Sequence, residues 1–132
     1  MKKILIINAI YYSEINRNLL KTSKKILHNK KMNLSEIVVP GVFEIPVVVS
    51  KNIKKYDGFL ALGCIIKGET PHFNLIARST FDGIMNISIL YKKPIGNGII
   101  TALNMKQAKS RCSTKGIEAA KAIIAVLKNA KK

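Results

Sequence analysis

The sequence has 132 residues, which suits one domain, and we predict a single domain over residues 1–132. A hydrophobic fraction of 48% excludes an intrinsically disordered chain, because enough apolar side chains are present to fill a core. No apolar run approaches the roughly 20 residues that span a bilayer. The run after Lys2-Lys3 is also too short for a secretory signal and is broken by Asn8. We therefore expect a cytoplasmic protein without a membrane partner.

The formal net charge of +16 favours contact with anions, and nucleic acid is one candidate. Only three of the 23 cationic residues are arginines, however, and bidentate contacts to bases and phosphates favour arginine. The lysine pairs at 24–25, 30–31, 54–55 and 92–93 fall on predicted polar helix faces or helix ends. We therefore expect solvated surface, attraction of small anions and no nucleic-acid partner.

The two cysteines, Cys64 and Cys112, form neither a disulfide framework nor a metal-binding motif. We interpret each as a small apolar side chain of the core. His28 and His72 are the only histidines, so we expect no metal site.

The first half of the chain alternates short apolar runs with amphipathic stretches. A β-branched run predicts a strand over Lys3–Ala9, and apolar residues at helical spacing predict a helix over 13–28. A second strand is predicted at 34–39, ended by Pro40-Gly41, and a second helix at 44–56.

The second half repeats the pattern. Residues 57–66 predict a strand that is apolar on both faces, as a central parallel strand should be, and residues 71–91 predict a helix. A fourth strand is predicted at 94–101, followed by a short helix at 104–110 and a closing helix at 116–129. Strands alternating with helices predict an α/β protein, a three-layer α/β/α sandwich of flavodoxin-like type with about four parallel strands.

In such a fold, ligands bind beyond the carboxyl ends of the strands. The loop after the third strand places Gly68 before Thr70 and Pro71, which we predict as the N-cap and first residue of a helix. Free N–H groups there would bind an anion, with His72 beside it as a proton carrier. An ordinary capped helix with a surface histidine explains the same pattern.

Other polar and aromatic residues collect in the neighbouring loops. Tyr11 would stack on a flat ring or simply cover the end of the sheet. Glu44 would bind a polyol or amine, or only complement a helix dipole. Arg111 and Lys115 would bind an anion or lie in a solvated loop.

Four segments together resemble a known family, the lumazine synthases. Residues 39–46 (VPGVFEIP) resemble the family's V-P-G-(A/S)-(F/W)-E-(I/L)-P signature, and residues 61–73 (ALGCIIKGETPHF) resemble its A-L-G-x-(V/I)-I-(R/K)-G-x-T-x-H-(F/Y) segment. Residues 94–101 are similar to the family's P-(V/I)-x-x-G-(V/I)-(L/I)-T strand, and residues 107–120 to its closing segment. The similarity covers residues 4 to 128.

The resemblance implies the penultimate step of riboflavin biosynthesis, catalysed by a transferase without a metal or organic cofactor. In that step 5-amino-6-ribitylaminouracil condenses with 3,4-dihydroxy-2-butanone 4-phosphate. The products are 6,7-dimethyl-8-ribityllumazine, phosphate and water. The resemblance also implies a homo-oligomer with sites between subunits, built as a pentamer, a decamer or a capsid of 60 subunits.

The resemblance assigns roles residue by residue. His72 matches the proton carrier, which makes it the expected catalytic residue. Tyr11 matches the ring-stacking aromatic. The remaining substrate-binding positions are Val42, Phe43, Glu44, Ile65, Ile66, Asn97 and Lys115. The phosphate-binding positions are Gly68, Glu69, Thr70 and Arg111.

Three departures from the family pattern bear on these assignments. Ile10 and Tyr12 stand where a basic residue and an amide are usual, and the loop between Arg111 and Lys115 is shorter. The first predicted strand also begins near residue 1, without the extension that pairs with a neighbouring subunit in some members. We therefore expect a pentamer or decamer rather than a capsid.

Two alternative functions remain open from the sequence. A flavin- or lumazine-binding module would keep the pocket and lose turnover, which the residues at 10 and 12 favour. The related archaeal-type riboflavin synthase has a similar fold, but the G-x-T-P-H loop over residues 68–72 favours the lumazine enzyme.

Overall fold

The computed structural model of the chain describes residues 1–69 and 71–129. Its four strands form one parallel sheet in the order β2-β1-β3-β4. They are β1 (Lys3–Ala9), β2 (Asn33–Val39), β3 (Gly58–Ile66) and β4 (Ile95–Ala102). The predicted strands are therefore confirmed to within one residue at each end.

The described helices cover both faces of the sheet. They are α1 (Ser13–Asn29), α2 (Ile45–Lys51), α3 (Phe73–Tyr91) and α4 (Met105–Asn129), with 3-10 turns at Val42–Glu44 and Lys67–Glu69. Helices α1 and α4 pack together on one face, and α2 and α3 pack on the other. This is the predicted three-layer, flavodoxin-like arrangement.

The strands divide their side chains between the two layers. Ile4 and Ile6 of β1 contact the α1/α4 layer, whereas Leu5 and Ile7 contact the α2/α3 layer. All nine residues of β3 are buried, because it is a central strand covered on both faces. No helix in the described ranges has the length and apolarity that crossing a bilayer requires.

The break predicted between the helices at 104–110 and 116–129 is wrong, since α4 is one continuous helix. Gly116 lies inside α4 at a point where it closely approaches α1. A Cβ at this position would collide with Thr22 Oγ1 and lie 2.9 Å from the carbonyl oxygen of Leu19. The glycine therefore permits helix packing and does not end a helix. The predicted short loop between Arg111 and Lys115 is consequently a helical turn.

The second and third predicted helices also have different bounds. Helix α2 ends at Lys51 because Asn52 closes it: its backbone N–H and its side-chain Nδ2 bond to the carbonyls of Val49 and Val48 at 3.1 and 2.8 Å. Helix α3 begins at Phe73, so Pro71 is not its first residue as predicted but lies in the preceding turn.

Lysines gather at the amino edge of the sheet. The pairs at 2–3, 30–31, 54–55 and 92–93 all lie there, three of them just after the carboxyl ends of helices, where cations complement the helix dipole. The one ion pair among the described residues joins Lys109 and Glu14 at 3.8 Å, and it includes none of these lysines. The amino edge therefore carries an excess of positive charge around the carboxylate of Asp57.

Candidate functional site

A cleft of about 320 Å³ opens at the carboxyl edge of the sheet. It lies where β1, β2 and β3 end, as the rule for parallel sheets predicts. Five residues singled out from the sequence line it: Tyr11, Val42, Phe43, Ile65 and Glu69. Its lining is mainly apolar, with the Glu69 carboxylate and the hydroxyl of the exposed Tyr11 as polar groups, whereas the Tyr12 hydroxyl is buried.

The position of Phe43 depends on Gly63 in β3. A Cβ on Gly63 would collide with the side chain of Val42. Because glycine has no Cβ, the 3-10 turn at Val42–Glu44 can lie directly on β3. Val42 is buried against β3, and the next residue, Phe43, is 61% exposed at the cleft. A large exposed aromatic beside a cleft can cover a flat ligand or contact another chain.

Glu44 makes a hydrogen bond within the turn that follows β2. Its Oε1 accepts a hydrogen bond of 2.9 Å from the backbone N–H of Gly41, which closes the 3-10 turn. Glu44 is half-buried and does not line the cleft, while its other carboxylate oxygen has no hydrogen bond among the described contacts.

The predicted phosphate loop surrounds one rim of the cleft. Gly68 and Glu69 are exposed in the 3-10 turn, and Pro71 lines the cleft. His72 is exposed at the N-cap position of α3, next to Pro71 but outside the cleft lining. The predicted N-cap Thr70 lies outside the described residues.

Arg111 and Lys115 do not join this cleft. They lie one turn apart on α4 and line a second depression of about 290 Å³, together with Glu118. Arg111 Nη1 donates a hydrogen bond of 3.0 Å to the carbonyl of Thr101, at the end of β4. These two cations therefore sit beside the sheet edge that β4 forms.

Asn97 and Ile66 also lie outside the cleft lining. Asn97 is half-buried in the edge strand β4, and its Oδ1 accepts a hydrogen bond of 3.1 Å from the N–H of Ile99. Ile66 is buried in the α1/α4 layer and contributes to the core. The cleft thus holds one group of predicted site residues, Arg111 and Lys115 lie apart from it on α4, and Ile66 belongs to the core.

The cleft also contains residues to which the sequence patterns assign no binding role: Tyr12, Gly41, Cys64, Pro71 and Ile76. Burial raises the pKa of the Cys64 thiol to about 12, with smaller contributions from Cys112 and from the carboxylate of Glu69. The thiol therefore stays protonated and is a poor nucleophile. Only Tyr12, an aromatic directly after a strand and beside Tyr11, carried a sequence signal for this position.

The cleft offers aromatic and apolar surface with one carboxylate, which suits a flat heterocycle. Among the described residues, no group of three or more histidine, cysteine or acidic side chains could hold a metal. The second depression offers two cations, which suit an anionic group.

Comparison with known proteins finds a match of residues 1–131 to the family model described as 6,7-dimethyl-8-ribityllumazine synthase. Curated proteins of that name are similar to the chain. The one from Bartonella bacilliformis is 36% identical over 132 aligned positions, covering 94% of this chain and 87% of the relative. The one from Vesicomyosocius okutanii is 38% identical, covering 96% and 84%. The one from Campylobacter curvus is 36% identical, covering 96% and 86%.

Proposed function

Because the chain belongs to the 6,7-dimethyl-8-ribityllumazine synthase family, we propose that its cleft binds the pyrimidine amine and that a neighbouring subunit completes the site. The chain is a transferase of riboflavin biosynthesis that forms 6,7-dimethyl-8-ribityllumazine. The observation that supports a shared site is the separation of the cleft from the two cations on α4.

In this proposal the ring of 5-amino-6-ribitylaminouracil lies against Tyr11, and its ribityl chain lies along the turn that carries Phe43 and Glu44. The free oxygen of Glu44 is an acceptor for ribityl hydroxyls. Ile65 lines the floor of the cleft, and Glu69 lies on the rim. Apolar walls with few polar groups are usual for a site that binds a flat ligand.

The 3,4-dihydroxy-2-butanone 4-phosphate places its phosphate between the turn at 67–69 and the cations Arg111 and Lys115 of the adjacent copy. The 5-amino nitrogen attacks the ketone carbonyl, and loss of water gives an imine. The C–O bond to phosphate then breaks as a proton leaves the neighbouring carbon, which leaves an enol. Protonation of its terminal carbon gives a methyl ketone, and the ribityl-bearing nitrogen attacks that carbonyl and closes the ring with loss of a second water.

His72 carries protons between these steps, and the guanidinium of Arg111 stabilises the charge on the departing phosphate. Much of the acceleration comes from holding amine and ketone together, since the two react without further activation once oriented. Asn97, on the edge strand β4, would contact the substrate of the neighbouring site.

Exposed apolar side chains support assembly of the chain with copies of itself. Leu75, Met85 and Ile89 lie on one exposed face of α3, and Phe43 is exposed beside the cleft. Exposed apolar surface of this kind marks an interface. We propose that the chain forms a pentameric unit. We also propose that it works in the cytoplasm, because the reducing conditions there suit two free cysteines. Light scattering should give five copies for the native protein and fewer for Ile89→Asp.

The shared site is tested by mixing two variants with impaired activity. One variant carries Tyr11→Ala and His72→Ala in the cleft, and the other carries Arg111→Ala. The two are unfolded, mixed in equal amounts and refolded together. Lumazine formation is then followed by fluorescence. If the cations come from a neighbour, about a quarter of the sites in a random equal mixture contain both intact halves, and activity returns. If one chain holds the whole site, every site in the mixture is defective and no activity returns.

Refolding each variant alone is the matched control, because it shows the residual activity without mixing. Native protein that is unfolded and refolded in the same way gives the maximum activity that the mixture could reach. Absence of turnover by the native protein, with both substrates supplied, would contradict the assigned activity itself.

A further inference from the structure

Two adjacent tyrosines form the wall of the cleft that follows β1. Their ring centroids are 4.9 Å apart and their planes are 82° apart, an edge-to-face contact. Tyr11 is 76% exposed, and this is its one ring–ring contact among the described residues. Tyr12 is half-buried, packs against the core of the α1/α4 layer and also lines the cleft. The exposed ring is therefore supported by a ring that the core holds.

The first turn of α1 holds the backbone of Tyr12. Its carbonyl accepts a hydrogen bond of 3.0 Å from the N–H of Asn16 in the first turn of α1. The side chain of Asn16 is buried and donates to Asn8 Oδ1 at 2.7 Å and to the carbonyl of Leu62 at 3.4 Å. Tyr12 is thus joined through one residue to both β1 and β3.

The residue on the other side of Tyr11 is also fixed. The N–H of Ile10 donates a hydrogen bond of 3.1 Å to the carbonyl of Val39, at the end of β2. The backbone around Tyr11 is therefore set at both ends, and the main freedom that remains is rotation of its side chain. An exposed aromatic side chain reorients within nanoseconds unless a neighbour restrains it.

We propose that Tyr12 is a positioning residue that holds the ring of Tyr11 in place as a preformed stacking surface for the pyrimidine ring of the amine substrate. This inference rests on the proposed function of Tyr11. A ring that is already in place loses little side-chain freedom when the substrate binds, so the binding is tighter. Tyr12 itself need not touch the substrate to have this effect.

The proposal predicts that loss of the Tyr12 ring changes the KM of one substrate and not that of the other. Replacing Tyr12 with leucine removes the edge-to-face contact and keeps an apolar side chain against the core. The KM for the pyrimidine amine should rise about 3- to 10-fold. The KM for the butanone phosphate and the kcat should stay within about twofold, because neither depends on the stacking surface. Tyr12→Phe keeps the ring and should behave as the native protein.

A double-mutant cycle with Tyr11 distinguishes positioning from a general structural effect. If Tyr12 acts through Tyr11, Tyr12→Leu raises the KM for the amine in the native background but not in a Tyr11→Leu background. An equal rise in both backgrounds, or an equal rise in the KM of both substrates, would overturn the proposal. Tyr12→Met serves the same cycle should the leucine variant fail to fold.

The same cycle separates this inference from the function it rests on. A Tyr11→Leu variant with an unchanged KM for the amine would overturn the role of Tyr11 and this proposal with it. A raised KM in Tyr11→Leu together with an unchanged KM in Tyr12→Leu would leave the role of Tyr11 intact and overturn only the role of Tyr12.

Discussion

Asn16 and Asn8 form a buried hydrogen bond between two side-chain amides, 2.7 Å long, that joins α1 to β1 beneath the cleft. Asn16→Ala would leave Asn8 Oδ1 and the carbonyl of Leu62 without this donor. Because unsatisfied buried acceptors are costly, the free energy of unfolding should fall by about 1–3 kcal/mol. Urea denaturation followed by circular dichroism measures the change.

Asn18 on the same helix provides the matched control. Its Oδ1 accepts a hydrogen bond of 3.0 Å from Ser113 in an exposed position, so water replaces the partner in Asn18→Ala. This variant should change the free energy of unfolding by less than about 0.5 kcal/mol. Equal losses in the two variants would show that burial of the amide pair is not what matters.

His72→Ala should slow lumazine formation by about 10- to 100-fold without abolishing it, since orientation of the substrates remains when the proton carrier is lost. The measurement is the initial rate of the fluorescence increase, corrected for the uncatalysed reaction. His28 is exposed in the last turn of α1, at the opposite edge of the sheet, and His28→Ala should leave the rate unchanged. A folded, substrate-binding His72→Ala protein with no rate above background would contradict the assigned role.

Gly116→Ala tests the close contact between α4 and α1. Alanine normally stabilises a helix interior by about 0.5–1 kcal/mol relative to glycine. Here its Cβ would collide with Thr22 Oγ1 and approach the Leu19 carbonyl, so we expect destabilisation by about 1–3 kcal/mol instead. Adding Thr22→Ala should restore part of the loss, and thermal unfolding of the three proteins checks the sign. A more stable Gly116→Ala protein would show that the two helices are not in tight contact.

The Cys64 thiol gives a prediction for alkaline pH. Burial raises its pKa from 9.0 to about 12, so the folded chain keeps the proton that the unfolded chain releases above pH 9.0. The contribution of this thiol to stability is present below pH 9.0 and is lost as the pH rises toward 12. The free energy of unfolding should therefore fall less steeply above pH 9.0 in Cys64→Ala than in the native protein. Identical slopes would argue against a buried, neutral thiol.

The strands could be predicted closely because their signal is local. The apolar runs of β1 and β3 end at Asn8-Ala9 and Ile66, and each is bounded by turn residues within the sequence itself. The helix break predicted near Gly116 was wrong for a different reason. Glycine ends helices and also permits close packing, and only the position of α1, almost 100 residues earlier in the chain, decides between the two.

The site could be predicted in part. The loops after β1, β2 and β3 were placed at one edge by the rule for parallel sheets, and Tyr11, Phe43 and Glu69 meet there. The hydrogen bond from Gly41 to Glu44 and the support of Tyr11 by Tyr12 depend on side-chain geometry, which spacing along a sequence does not contain. The separation of Arg111 from the cleft depends likewise on the course of α4.

The order of the strands has a consequence for how the chain acquires its shape during synthesis. Strands β1 and β2 are neighbours joined by α1, so this unit can pair as soon as residue 39 has emerged. The contact of β1 with β3 bridges about 54 residues, as from Lys3 to Asp57, and such distant pairing is slow. The nascent chain therefore exposes the apolar edge of β1 until β3 arrives, and this interval is when we expect it to be most prone to aggregate.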